Sequence, residues 1–271
     1  MTGCPWWAVL FDNIINNREG GVMTIERKKG PYIGWTNANW TPELVRRALE
    51  LVPETSRYRL MVGLPMGPTV FDGDARLWGA VKNLCVRDPR LFVLIHYGTS
   101  RPESLNNDLQ ALIVKSGQSP GPDGFQLNIP WPPLDELEKF RERHPEKHLV
   151  LQIGRQALSD LGNFGGLMER VAGKLRDYEP FIDAVLFDPS GGTGTPFNPK
   201  MAHDFLWKVR DCYPGLGFGV AGGLGADVES EAEARKLLRS YSGLSLDAEY
   251  RVKKPEDGFR YLKAMFGLVS R

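Results

Sequence analysis

The 271-residue chain predicts an α/β fold, a closed (β/α)8 barrel. Three observations carry this. Short β-prone runs alternate with helix-length amphipathic stretches along most of the sequence. Counting Val22–Glu26, eight such strands occur, and each leads into a helical stretch. Most of the strands place a polar residue at or near the C-terminal end, in phase with apolar residues before it. A doubly wound open sheet is the rival arrangement.

Residues 5–19 put Trp7, Leu10, Phe11, Ile14 and Ile15 on one helical stripe, and Gly20-Gly21 stop it, which gives an N-terminal helical extension. Val22–Glu26 is read as the first strand. Lys28-Lys29-Gly30 can also turn a hairpin into Tyr32-Ile33-Gly34-Trp35, so the identity of that strand stays open. Thr41-Pro42-Glu43 is a helix start, with a hydroxyl cap and a proline in the first turn, and the helix runs through Leu51. The later strands are Tyr58–Leu64, Leu91–Tyr97, Gly124–Ile129, His148–Gly154, Ala184–Asp188, Gly217–Gly222 and Gly243–Glu249. Helices are expected over 70–86, 103–115, 134–144, 164–178, 199–211, 228–241 and 255–269. No low-complexity segment or long linker divides the chain, so a single domain over 1–271 is expected.

The charge balance, 34 basic against 33 acidic side chains, suggests no nucleic-acid surface. No apolar run approaches the roughly 20 residues that cross a bilayer, and the N-terminus lacks the basic start of a signal peptide. Cys4, Cys85 and Cys212 are widely spaced and odd in number. They read as reduced thiols in a cytoplasmic protein.

Polar residues near strand ends gather toward one end of such a barrel: Thr24, Glu26, His96, Gln126, Asn128, Gln152, Asp188, Ser245, Asp247 and Glu249. An interior without function is filled by branched aliphatics, so the set points to a wet, functional mouth. Solvent-facing rim positions are the bland alternative for any one of them. Arg101 and Arg155, beyond the third and fifth strands, are the cations best placed for an anionic substrate. Asp188, Asp247, Glu249, Glu26 and His96 could instead hold a divalent metal, although no close motif such as His-x-x-x-His supports this. An active mouth should show two carboxylates facing one cavity. A retired one should be plugged by side chains such as Trp35 or Trp131.

Three segments carry a resemblance. Gly124-Phe-Gln-Leu-Asn128, then Val185-Leu-Phe-Asp-Pro-Ser-Gly-Gly-Thr-Gly-Thr-Pro-Phe197, then Val220-Ala-Gly-Gly-Leu224 resemble, in order and spacing, the fourth, sixth and seventh strands of phosphoribosylanthranilate isomerase. The likeness covers about 124–257. It implies a TIM barrel related to an enzyme of tryptophan biosynthesis that performs an Amadori, aldose-to-ketose rearrangement. It implies Asp188 as general acid, with Gly191, Gly192, Gly194, Gly222 and Gly223 cradling a phosphate at a helix start. No organic cofactor is implied.

The chain departs from that pattern at several points. The family's basic cysteine in Lys-Ile-Cys-Gly has no counterpart in Val22-Met-Thr-Ile-Glu26, which leaves Glu26 or Asp247 as the opposing base. Gly63-Leu-Pro-Met-Gly-Pro68 lacks the arginine expected after the second strand, and Asn128 stands for a histidine. Asp247 stands where a phosphate-binding glycine belongs. A carboxylate about 4 Å from a phosphate charge costs roughly 4 kcal/mol at an effective dielectric near 20. The sequence therefore points to a diverged isomerase or lyase acting on a small, polar, sugar-like metabolite. The alternative is a non-catalytic barrel that binds a ligand or a protein.

Overall fold

Strand β1, Tyr32–Thr36, pairs in parallel with β2, Arg59–Met66, on one side and with the last strand, β8, Ser245–Ala248, on the other. That double pairing closes the sheet. The computed structural model describes residues 30–67, 88–116, 121–162, 165–191, 193 and 195–270. Between β2 and β8 run β3 (Leu91–Tyr97), β4 (Gly124–Leu127), β5 (His148–Gly154), β6 (Ala184–Asp188) and β7 (Gly217–Val220). All neighbours are parallel, in the order β1 to β8. The open-sheet alternative is excluded by the β1–β8 pairing. The first strand of the barrel is Tyr32–Thr36, the second of the two segments the sequence left open, and Val22–Glu26 lies outside the described residues. The expected helices at 5–19 and 70–86, and Glu26 itself, lie outside the described residues.

The described helices are α1 (Pro42–Leu49), α2 (Leu105–Ser116), α3 (Leu134–Arg143), α4 (Arg155–Asp160), α5 (Leu167–Tyr178), α6 (Pro199–Val209), α7 (Val228–Ser240) and α8 (Pro255–Val269). The cap at Thr41 forms as its sequence dictates, with Leu44 N donating to Thr41 Oγ1 at 3.2 Å. Asn198 and Asp227 cap α6 and α7 in the same manner. The expected helix over 164–178 is α5, and a short α4, not expected from the sequence, precedes it directly after β5.

Alternation along each strand sorts the core into two layers. Outward residues such as Ile33, Val62, Ile95, Phe125, Leu151 and Phe187 pack under the helices. Inward residues Tyr32, Met61, Phe92, Leu94, Val150, Ala184, Leu186 and Ala221 form a separate cluster inside the barrel. At its N-terminal end an ion pair ties the strands to the helical layer. Arg141 of α3 reaches Asp183 at 2.8 Å, and Asp183 also accepts from Leu149 N at 2.9 Å. Conserving the barrel is the task of that end; chemistry belongs at the other.

Cys212 is disulfide-bonded. Both other cysteines, Cys4 and Cys85, lie outside the described residues. The expectation of three reduced thiols is corrected for this one, and the cysteines no longer argue for a cytoplasmic setting. Among the described residues, no helix is long and apolar enough to cross a membrane.

Candidate functional site

At the C-terminal end of the strands the inward positions turn polar. Thr36, His96, Gln126, Gln152, Asp188 and Asp247 are all buried there, on β1, β3, β4, β5, β6 and β8. They form one hydrogen-bonded belt. Gln152 Nε2 donates to Asp188 Oδ2 at 2.8 Å, and Gln126 Nε2 donates to Gln152 Oε1 at 3.0 Å. Gln126 Nε2 also lies 3.2 Å from His96 Nδ1. An amide nitrogen only donates, so Nδ1 accepts and the ring proton is placed on Nε2. Thr36 Oγ1 sits at the ring edge, 3.2 and 3.3 Å from the two nitrogens, and 3.4 Å from Asp247 Oδ1. Two carboxyl groups, on β6 and β8, therefore terminate a chain whose four intermediate side chains stand on β5, β4, β3 and β1.

The belt skips β2 because Gly63 is there. A Cβ at position 63 would stand 2.1 Å from Thr36 Oγ1 and 2.8 Å from His96 Nε2, so only glycine lets Thr36 reach His96 across that strand. Gly34 does the same for Asp247, whose Oδ1 would lie 2.7 Å from an added Cβ.

Asp188 accepts two further hydrogen bonds from Ser190, at 2.7 Å from its hydroxyl and 3.2 Å from its amide. Burial, then the charge of Glu249, then that of Asp188, raise the Asp247 carboxyl well above its ordinary value; contacts to Thr36 and Gln126 oppose this weakly. Glu249, at the exposed rim, is also raised, by desolvation and then by Asp188, with Lys253 opposing. Burial alone pushes His96 down to about 3, which keeps the imidazole neutral.

The other expected site residues divide. Asn128 lies exposed just past β4 and contributes its amide to Tyr97 O at 2.8 Å. Arg155 straps the loop after β6, bonding Ser190 O at 3.2 Å and Thr193 Oγ1 at 3.4 Å. Arg101 is exposed before α2 and makes no contact with the belt. Ser245 accepts from Tyr32 N at 3.2 Å, a link between strands. Gly191, Gly222 and Gly223 take positive φ, and Gly192 and Gly194 lie outside the described residues. An added Cβ at Gly222 would come within 2.7 Å of Asp188 Oδ1, and one at Gly223 within 2.2 Å of Thr195 O. Close packing of the β7 turn on the β6 loop thus accounts for these two glycines without a phosphate.

Trp35 faces outward, donating to Val252 O at 2.9 Å beside Trp40. Trp131, at φ 43°, donates to Ala157 O at 2.8 Å and packs on Tyr178. Neither plugs the mouth. Thr36 and Ser190 were not singled out from sequence. The alternation of Ile33 and Trp35 against Tyr32, Gly34 and Thr36 was the signal for the first of them. Among the described residues, no three His, Cys, Asp or Glu side chains are grouped to hold a metal ion.

Fold and site together define a TIM barrel with an acidic, hydrogen-bonded mouth. No protein-family model matches the sequence, and no curated protein matches it. Among solved structures the chain is similar to phosphoribosyl anthranilate isomerase from Thermus thermophilus, at 15% identity over 88% of this chain and 98% of that one, with TM-score 0.54. It is also similar to a GH18 chitinase from Pseudoalteromonas aurantia, at 13% identity over 89% and 100%, with TM-score 0.59. A third is active domain 2 of a thermostable chitinase from Pyrococcus furiosus, at 14% identity over 90% and 96%, with TM-score 0.55. At these identities the likeness is one of fold. The resemblance to the isomerase read from the sequence returns at that level, and chitinases share it, so the reaction has to be argued from the side chains.

Proposed function

We propose that the mouth is an acid–base site in which Asp247 and Asp188 act as a pair on a small, polar, sugar-like metabolite, in an isomerisation of the aldose–ketose type. One observation carries the reading: two inward carboxyl groups end the same belt, and burial, with Glu249 and Asp188 nearby, raises one of them well above its ordinary value. Asp247 supplies a proton to a carbonyl or ring oxygen. Asp188, fixed by three donors, accepts one from the adjacent carbon. These roles are the reverse of those the sequence suggested for the two residues, because Asp247 is the one whose carboxyl is raised. Neutral His96 and the two glutamines orient the pair and neither gain nor lose charge. The chain acts as one barrel domain over 1–271.

The test is deuterium incorporation, followed by NMR in D2O, at the carbon next to the carbonyl across a panel of aldoses and ketoses. Wild type should incorporate the label with at least one member. Asp188→Asn and Asp247→Asn should each slow incorporation by about 10²-fold or more, with thermal melts confirming that both fold. Incorporation at the wild-type rate in both variants, or none by wild type, refutes the reading.

A further inference from the structure

The belt has more acceptors than donors, and the excess has a definite position. Asp188 Oδ2 accepts from Gln152 Nε2, so Gln152 turns its amide nitrogen toward it. That leaves Gln152 Oε1 facing Gln126, which must in turn present its own nitrogen. His96 Nδ1 takes the other proton of the same nitrogen. The orientation of Gln126 is fixed from both sides, and its carbonyl oxygen Oε1 is left buried with no hydrogen-bond partner. The residue is 2% exposed. A buried orphan acceptor is costly and rare in folded proteins. It stands here beside the Asp247 carboxyl, in a mouth that also holds Asp188 and Glu249.

Several of the cations near this end are already engaged among the described residues. Arg251 pairs with Asp227 at 3.2 Å and donates to Gly223 O at 3.0 Å. The start of α7, where an anion would bind, is occupied by the Asp227 carboxylate, which accepts from Ser230 N at 2.9 Å and Ser230 Oγ at 2.8 Å. Arg155 is spent on the β6 loop. Lys253 rests 4.1 Å over the Tyr250 ring.

We infer that the mouth recognises a protonated amine, so that its ligand is an amino-bearing polyol or sugar and not a phosphorylated one. An ammonium brings three donors and no acceptor, which is what Gln126 Oε1 lacks, and its positive charge suits the carboxyl-rich mouth around that atom. A phosphate brings acceptors and negative charge to a place that has a surplus of both. The inference rests on the proposed site but specifies what enters it.

The experiment compares three ligands with one carbon skeleton by calorimetric titration of the whole protein at neutral pH: 1-amino-1-deoxysorbitol, sorbitol and sorbitol 6-phosphate. The amine should bind at least tenfold tighter than sorbitol, a difference of about 1.4 kcal/mol, and the phosphate at least tenfold weaker. Gln126→Met, checked for folding by its melt, should erase the preference for the amine. Equal affinity for amine and polyol, tightest binding of the phosphate, or no binding of the amine up to millimolar concentration overturns the inference. Amine binding without any deuterium incorporation would leave it standing while removing the isomerase reading. Incorporation into neutral or phosphorylated sugars with no amine preference would do the opposite.

Discussion

Gly63→Ala is the smallest change that strikes the belt. The methyl group it adds would lie 2.1 Å from Thr36 Oγ1 and 2.8 Å from His96 Nε2, both well inside van der Waals contact. Both neighbours are buried, and His96 is also held by Gln126, so neither can swing clear without breaking a hydrogen bond. Overpacking of this kind costs about 1–3 kcal/mol. At about 2–4 °C per kcal/mol for a domain approaching this size, the melting temperature should fall by roughly 2–12 °C. Gly173→Ala is the matched control. That glycine is exposed inside α5, with nothing within 4 Å of an added Cβ, and its replacement should stabilise by about 0.5–1 kcal/mol. Differential scanning calorimetry of both variants decides the matter. A Gly63→Ala protein that melts with wild type would show that Thr36 and His96 do not meet across β2, and the belt would lose its continuity.

Asp247→Asn carries a pH signature. Because the folded-state carboxyl is raised, its contribution to stability is complete below the ordinary value of 3.8 and is lost as pH rises through the raised one. The amide copies the protonated form, so the variant should gain stability over wild type as pH increases, by about 1.4 kcal/mol for each unit of the shift. Melts that fall in parallel with pH would refute this. Asp183→Asn should cost about 3–5 kcal/mol in urea unfolding, since it strands the buried Arg141 guanidinium, and a loss below 1 kcal/mol would show the pair to be dispensable. Alkylation of the unfolded, unreduced protein should label one of its three cysteines, and all three after reduction, as read by intact mass. Three labels before reduction would contradict the bond at Cys212.

Much of the barrel was legible because its strands carry continuous apolar runs, as in Leu91–Ile95 and Leu149–Leu151, and because caps such as Thr41-Pro42 announce the helices. The first strand was not. Tyr32–Thr36 is five residues long, and its inward positions are a tyrosine, a glycine and a threonine, which makes it look like the second arm of a turn following Lys28-Lys29-Gly30. Only pairing with both β2 and β8, a non-local property, identifies it. His96, Gln126, Gln152, Asp188 and Asp247 could be found by their phase at strand ends. Their linkage could not, because it depends on stagger between strands and on the space left by Gly34 and Gly63. The glycines after β6 and β7 were read for a ligand when the structure gives two of them a packing reason, since a missing Cβ serves either purpose equally well.

Between the two acids stands β7, where Gly219 and, just past the strand, Ala221 face inward. The polar circuit is thus a horseshoe, open only where the barrel wall offers no functional group. Whatever occupies the opening and bonds to both ends converts the horseshoe into a ring, locking six strands to one another at their tips. Occupancy should then be felt mechanically, as slower amide exchange around the whole rim, and not only by the two residues that make the contact.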